Sequence, residues 1–126
     1  MTFLSAFGII PAQRGDAVTP CELAFSDLSI VVPVKNNQFG VDRLLEACTK
    51  AFTPQCYPAE ILLVDNLSHP PLEVPSQVAW GLPVRVLVCS RPGAAAARNL
   101  GARQACTKWV LFLDSDCLPT AGLIEG

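Results

Sequence analysis

Two aspartates follow directly on an apolar run in the last part of the sequence. The run Val110–Leu113 leads into Asp114, Ser115 and Asp116, and side-chain alternation along an extended chain places the two carboxylates on the same side. Carboxylates held this close repel each other unless a cation lies beside them, and such oxygen ligands suit Mg²⁺ or Mn²⁺. The pattern therefore indicates a divalent metal site that could hold a diphosphate. Asp-Ser-Asp is also ordinary turn chemistry, which stays an alternative.

Polar residues also follow two other apolar runs. Ile61–Val64 leads into Asp65, whose carboxylate could accept hydrogen bonds from a nucleobase N–H or from ribose hydroxyls, or could form an Asx turn. An earlier run ends in Pro33 and Val34, shortly before Asn36. The proline favours an extended exit from the sheet, so the backbone there could offer amide and carbonyl groups to a planar ligand. By itself this segment indicates only a strand-to-helix turn.

Two arginines could supply positive charge to a phosphate. Arg91 precedes Pro92 and Gly93, and Arg98 lies in the alanine-rich segment that follows. A helix beginning there would add free amides and its dipole to the attraction. An arginine on a helix is also commonly solvated or ion-paired. His69 lies in a proline-rich segment without a second histidine or a partner carboxylate, so it is interpreted as a surface residue and not as a base.

Four apolar runs must position these residues, and their β-branched and aromatic composition predicts strands. The predicted strands are Ser29–Val34, Glu60–Val64, Val84–Cys89 and Trp109–Leu113. Three of them are apolar on both faces, as parallel strands covered by helices are. The sequence therefore predicts a mainly parallel central sheet, whose ligands bind beyond the carboxyl ends of the strands. Because Trp109–Leu113 is the last predicted strand, we expect an exposed sheet edge there.

Two helices are predicted between these strands. Apolar residues recur at i, i+3, i+4 and i+7 from Val41 to Cys48, and Pro54 must end that helix. Ala94–Ala105 is rich in strong helix formers and predicts the second helix. The segment Leu67–Pro83 contains four prolines, which predicts an exposed, mobile loop with at most a short helical turn.

Length and composition limit the range of functions. A chain of 126 residues suits one domain, and we divide it into a leader at 1–27 and a domain at 28–126. A net charge of −2 without a lysine or arginine cluster argues against a nucleic-acid partner. The apolar run Thr2–Ile10 lacks a basic start and is too short to span a membrane. Six cysteines without a Cys-x-x-Cys pair predict reduced, buried thiols and a cytoplasmic location, including the cytoplasmic face of a membrane.

Four blocks of the sequence, in this order, resemble family 2 glycosyltransferases with the GT-A fold. The blocks are Ser29–Asn36, Glu60–Ser68, Pro92–Ala102 and Phe112–Asp116. The resemblance implies a Rossmann-like α/β fold with three α/β/α layers and a mainly parallel sheet, truncated in this chain. It also implies the transfer of a sugar from a nucleotide donor, with a UDP-sugar preferred, to a glycan, lipid or small-molecule acceptor.

The same resemblance implies roles for individual residues. The nucleotide-sugar site would comprise Pro33, Val34, Asn36, Asp65, Arg91, Arg98, Asp114 and Ser115. Within it Asp65 would recognise the base, and Pro33 and Val34 would line the base pocket. Asp116 would be the principal ligand of Mn²⁺ or Mg²⁺. Asp114, the other acidic residue of the family's Asp-x-Asp site, would contact the ribose or a metal-bound water. The metal would act as a Lewis acid on the diphosphate.

Several features depart from the family pattern. Asn37 stands where many relatives have an acid, Leu67 replaces the usual glycine after Asp65 and Asn66, and a proline-rich loop replaces the next helix. Relatives continue well past Gly126 with an acceptor site and a catalytic base. We therefore expect a donor-binding half that is inactive alone, with any membrane contact made by missing regions. The alternative is a non-catalytic remnant or nucleotide-binding module. A Rossmann oxidoreductase is disfavoured because Gly-x-Gly-x-x-Gly is absent.

Overall fold

The computed structural model describes residues 8–11, 27–53, 57–78 and 81–115, which contain six strands and two helices. The strands are β1 (Gly8–Pro11), β2 (Leu28–Val34), β3 (Glu60–Asp65), β4 (Gln77–Val78), β5 (Leu82–Val88) and β6 (Trp109–Phe112). The helices are α1 (Gln38–Ala51) and α2 (Ala94–Gln104). All four strands and both helices predicted from the sequence are confirmed; the strand ends shift by at most two residues, and α1 extends three residues beyond Val41 and Cys48 at either end.

The strands form one sheet in the order β1-β6-β2-β3-β5-β4. The four central strands are parallel, and β1 and β4 each pair antiparallel at one side. The expected exposed edge at the last predicted strand is wrong, because β6 lies between β1 and β2. The open side lies instead along β5, where β4 pairs only with Leu82 and Pro83 and leaves Val88 72% exposed.

The two helices cover opposite faces of the sheet. Val41, Leu44, Leu45 and Cys48 of α1 are buried against one face, which confirms the spacing that predicted this helix. The other face packs against α2, where Ala97 is buried with side chains of β2, β3 and β6. Since strand side chains alternate between the faces, the predicted apolar runs bury residues on both. The fold is therefore the three-layer α/β/α arrangement with a mainly parallel sheet.

Helix α2 lies unusually close to the sheet at Gly101. A Cβ atom there would overlap Val31 Cγ1 and come within 3.2 Å of Val64 Cγ2. Only glycine permits this approach, because any larger residue would push the helix away from β2 and β3. The helix begins after Gly93, whose φ of 108° also requires glycine.

The buried carboxylate of Glu60 links several strands near their amino ends. Glu60, 7% exposed, accepts hydrogen bonds through Oε2 from Ser29 Oγ at 2.7 Å and from the Cys106 amide at 3.0 Å. Its Oε1 lies 3.3 Å from Arg85 Nη2. With these partners the charge is paired and hydrogen-bonded, as burial requires. The network joins β2, β3, β5 and the segment before β6 at the edge opposite the predicted site.

The cysteines and the proline-rich segment differ in part from expectation. Cys48 and Cys89 are buried and form no disulfide, as predicted, whereas Cys106 is exposed; the other three lie outside the described residues. The segment Leu67–Pro83, predicted to lack strands, contributes β4. The expectation missed this strand because a two-residue pairing leaves no periodic pattern in the sequence.

Candidate functional site

The parallel strands bring the predicted site residues to one edge of the sheet. Val34 at the end of β2 is in register with Asp65, and Asp65 is in register with Val88 of β5. On the other side of β2, Val31 is in register with Phe112, two residues before Asp114. From β2 the chain continues to β3 and β5 on one side of β2, and it then returns to the sheet as β6 on the other side. The gap between the ends of β2 and β6 is thus a topological switch point, where ligands of open α/β sheets bind.

A hydrogen bond crosses this switch point. Asn37 is the N-cap of α1, and its Nδ2 donates to Ser115 Oγ at 2.8 Å. The Leu113 amide donates to the Val31 carbonyl at 3.1 Å, which keeps the chain paired to β2 up to the residue before Asp114. Asp114 and Ser115 are half-buried beside the β2–α1 turn. Asp116, the predicted principal metal ligand, lies outside the described residues.

Asp65 is hydrogen-bonded through its carboxylate within the loop that follows β3. Its carboxylate, 4% exposed, accepts hydrogen bonds from the Ser68 amide at 3.1 Å and from the Leu72 amide at 3.0 Å. Burial raises the pKa of Asp65, but the Leu72 amide and the Ser68 hydroxyl and amide outweigh it, so the pKa lies below its ordinary value. The Asx-turn alternative thus describes its contacts in this structure. A carboxylate has about four lone-pair sites, so capacity for a further donor remains.

The loop after β3 is tied to the turn after β2. The Asn36 amide donates to Ser68 Oγ at 2.9 Å, and Asn36 Oδ1 accepts from the His69 amide at 2.8 Å. Gln38 pairs with both backbone groups of Glu73, at 2.7 and 2.9 Å. The loop predicted to be mobile is therefore fixed at several amides. His69 is exposed, which agrees with its interpretation as a surface residue.

Two residues in these turns adopt backbone conformations that usually belong to glycine or asparagine. Asn36 has φ of 51°, which asparagine tolerates well, and Leu67 has φ of 64°. Leu67 occupies the position where the resemblance expects glycine. The structure thus keeps the left-handed turn despite the change of residue, at a cost of the order of 1 kcal/mol in backbone strain.

The predicted base-pocket residues contribute mainly through their backbone. Val34 is 2% exposed and packs in the core beneath α1, so its side chain does not reach the surface. Its carbonyl accepts a hydrogen bond from the Asn66 amide at 2.8 Å. Pro33 is half-buried. Any contact of Val34 with a ligand would therefore use backbone atoms.

Asn66 organises the turn that carries Arg91, a role that the sequence analysis missed. Its side chain, 4% exposed, donates to the Arg91 carbonyl at 2.7 Å and accepts from the Gly93 amide at 3.1 Å. Arg91 is exposed beside a cleft of about 580 Å³ between the end of β5 and α2. Arg98 is half-buried on α2. An asparagine directly after a buried strand was the available signal, since asparagine is a frequent turn residue.

The described residues hold oxygen donors suitable for a hard cation but do not complete a metal site. Asp114 Oδ, Ser115 Oγ and the backbone carbonyls of this turn are the ligand type that Mg²⁺ and Mn²⁺ take. Among the described residues, no three histidine, cysteine or acidic side chains gather as a metal cluster. The donor chemistry is compatible with a cation that is held by Asp114 together with Asp116.

Comparisons with known proteins agree with this arrangement. Residues 29–126 match the sequence profile of Glycosyl transferase family 2. The pre-mycofactocin glycosyltransferase of Mycobacterium tuberculosis is 34% identical over 100 residues, which cover 79% of this chain and 20% of that protein. An uncharacterized glycosyltransferase of Haemophilus influenzae is 37% identical over 90 residues, which cover 71% of this chain and 29% of that protein. The chain thus spans less than a third of these relatives.

Solved structures show the same fold. S. aureus TarS 1–349 superposes with a TM-score of 0.58 and 22% identity, over 79% of this chain and 30% of that one. TarS 1–349 in complex with UDP gives a TM-score of 0.53 and 24% identity, over 71% and 27%. In the part of the chain that the structure describes, neither helix is long and apolar enough to cross a membrane. The fold, the ordered motifs and the profile match over most of its length identify the chain as a member of glycosyl transferase family 2.

Proposed function

We propose that this chain forms the donor-binding half of a glycosyltransferase that moves a sugar from a nucleoside-diphosphate donor, preferably a UDP-sugar, to an acceptor. The observation that carries the proposal is the placement of Asp114 and Ser115 at the switch point, with Ser115 hydrogen-bonded to Asn37 of the β2–α1 turn and Asp65 one strand away. The family membership and the UDP complex of the structural neighbour TarS support it.

In this proposal the nucleotide donor contacts residues that follow three different strands at one edge of the sheet. Asp114, Ser115 and Asp116 face the diphosphate and Asp65 meets the base, while Arg91 and Arg98, which follow β5 in the chain, add positive charge to the nucleotide site. A divalent cation bound to Asp116 and Asp114 would supply a Lewis acid that stabilises the departing nucleoside diphosphate. The chain's own residues hold the nucleotide in place and orient the sugar carbon toward the acceptor.

The test is calorimetric titration of the 126-residue chain with UDP, in Mn²⁺ and in EDTA. We expect binding that depends on Mn²⁺ and that Asp116→Asn weakens by at least tenfold, because one anionic ligand is lost. Asp27→Asn is the matched control, since Asp27 lies at the opposite edge of the sheet before β2. Equal UDP and Mn²⁺ affinity in Asp116→Asn and in the parent would contradict the metal assignment.

The base preference is tested with the same titration. UDP should bind more tightly than ADP, GDP or CDP if Asp65 accepts a hydrogen bond from the uracil N–H. Similar affinities for all four nucleotides would limit Asp65 to its structural contacts with the loop.

A further inference from the structure

The side chain of Asn37 makes hydrogen bonds at both ends. Its Oδ1 accepts from the Gly40 amide at 3.0 Å as the cap of α1, and its Nδ2 donates to Ser115 Oγ at 2.8 Å. The Gly40 N–H can only donate, so the oxygen of the Asn37 amide must face the helix. The group that faces Ser115 is therefore the NH₂, and the direction of the bond across the switch point is fixed by the helix cap.

This direction has a consequence for the hydroxyl of Ser115. A serine oxygen that accepts from an amide keeps its own hydrogen for another acceptor, and the hydrogen points away from the donor. Ser115 lies between Asp114 and Asp116, beside the space proposed for the diphosphate. A phosphate oxygen in that space would receive a hydrogen bond from a hydroxyl that is already oriented.

We propose that Asn37 is a positioning residue that orients the Ser115 hydroxyl as a hydrogen-bond donor to the diphosphate of the nucleotide. The inference rests on the proposed function and deepens it. Asn37 itself need not touch the ligand, because it acts through Ser115. The helix cap supplies rigidity, since Asn37 cannot turn without losing the bond to the Gly40 amide.

Gly40 belongs to the same arrangement. A Cβ atom at this position would overlap the amide group of Asn37, so alanine would displace the side chain that holds Ser115. Alanine is nevertheless the better helix former by about 1 kcal/mol. Gly40→Ala therefore disturbs the cap bond and the link to Ser115 together, while the better helix propensity of alanine offsets part of the lost cap.

Three variants of the full chain test the proposal. Asn37→Ser keeps a good N-cap residue but is too short to reach Ser115. Ser115→Ala removes the hydroxyl, and Gly40→Ala displaces Asn37. We expect each to weaken Mn²⁺-dependent UDP binding by about tenfold, the size expected for losing a hydrogen bond to a charged group. Thr49→Ala is the control, because it removes one hydrogen bond at the far end of the same helix.

A second readout needs neither metal nor nucleotide. In Asn37→Ser, hydrogen exchange should become faster at the amides of Leu113–Ser115, while the amides in the middle of α1 keep their protection. A variant that merely destabilises the fold would speed up exchange throughout the helix as well. Thr49→Ala should leave exchange at Leu113–Ser115 unchanged.

The double variant Asn37→Ser with Ser115→Ala decides whether the two residues act as one unit. If it binds UDP no more weakly than Ser115→Ala alone, Asn37 acts through the hydroxyl. Additive losses of affinity in the double variant would overturn the proposal, and so would an Asn37→Ser variant that binds UDP as tightly as the parent. Either result leaves the proposed function to be judged separately, from the UDP affinity of Asp116→Asn. If the parent does not bind UDP, the proposed function falls and this inference falls with it. Unchanged hydrogen exchange at Leu113–Ser115 in Asn37→Ser would show that Asn37 does not hold Ser115 in place, and would overturn the inference without affecting the proposed function.

Discussion

Asp65 is buried and still favours its charged form, because donors from its own loop surround it. Desolvation acts against the carboxylate, and the Leu72 and Ser68 donors overcome it. A group with a lowered folded pKa stabilises the fold above its unfolded pKa of about 3.9, and this contribution disappears as the pH falls through the folded pKa. Asp65 therefore makes the stability of this loop sensitive to acid and insensitive to changes near neutral pH.

Asp65→Asn should lower the free energy of unfolding at pH 7 by about 1–3 kcal/mol. Asparagine offers one oxygen acceptor, so an NH₂ group would face either the Ser68 or the Leu72 amide, which are both donors. Urea denaturation at pH 7 measures the loss. The difference from the parent should shrink as the pH is lowered below the ordinary range of an aspartate.

Asp42→Asn is the matched control for this substitution, because Asp42 is exposed on α1. It should change the unfolding free energy by less than about 0.5 kcal/mol. A difference between Asp65→Asn and the parent that stays constant down to acid pH would contradict the lowered pKa of Asp65.

Single residues at strand ends were predictable, and their partners were not. The apolar run before Asp65 placed it at the carboxyl edge, since parallel strands end together there. Its bonds to Ser68 and Leu72 depend on how the proline-rich loop folds back, which no local pattern encodes. The same holds for Asn37 and Ser115, whose contact joins positions far apart in the chain. The roles that the family resemblance assigns to Asp65 and Asp116 remain predictions.

At the scale of elements, the close packing of α2 on the sheet depends on one position. At Gly101 the helix lies so close to β2 and β3 that a single added methyl group would overlap Val31. Gly101→Ala should destabilise the chain by about 1–2 kcal/mol, because the overlap with Val31 outweighs the better helix propensity of alanine. Thermal unfolding followed by circular dichroism measures the change.

The double variant Gly101→Ala with Val31→Ala is the internal test of this packing argument. Val31→Ala removes the methyl group that the new Cβ would strike, so the combined loss should be smaller than the sum of the single losses. Additive losses would place the strain of Gly101→Ala somewhere other than this contact.

Elements with strong periodicity were found from the sequence, and the short strands were missed. The strands β2, β3 and β6 are buried on both faces and appear as continuous apolar runs. In contrast, β1 has four residues that include a glycine and a proline, and β4 has two. Strand β1 forms because β6, from a distant part of the chain, pairs with it, whereas β4 pairs with the neighbouring β5 over only two residues. Neither pairing leaves a periodic pattern in the sequence.

For the molecule as a whole, we predict that the 126-residue chain alone does not transfer sugar. Transfer needs an acceptor hydroxyl within about 3–3.5 Å of the sugar carbon and a base within reach of its proton. The carboxylates that directly follow described strands at this edge, Asp65 and Asp114, are assigned to the loop, the base and the diphosphate. Incubation with UDP-sugars, Mn²⁺ and a mixed acceptor panel, followed by mass spectrometry, is the measurement.

The assay also has an informative positive outcome. Acceptor-dependent product that disappears in Asp116→Asn would show that the donor-binding half contains a base, and the prediction would be wrong. Release of UDP without glycosylated product would instead indicate hydrolysis of the donor, in which water replaces the acceptor. The Asp27→Asn control distinguishes either outcome from a general effect of losing an acidic side chain.

The order of strands in the sheet also bears on how the chain acquires its fold. Strand β2 is synthesised early, but β6, one of its two neighbours in the sheet, follows it in the sequence only after β3, β4 and β5. Strand β1 also pairs with β6, so Gly8 meets Phe112. During synthesis, β2, β3 and β5 can associate while one side of β2 remains open. Closing the sheet requires long loops and is therefore slow. Until Trp109–Phe112 has been synthesised, the side of β2 that β6 later covers stays open to wrong pairing.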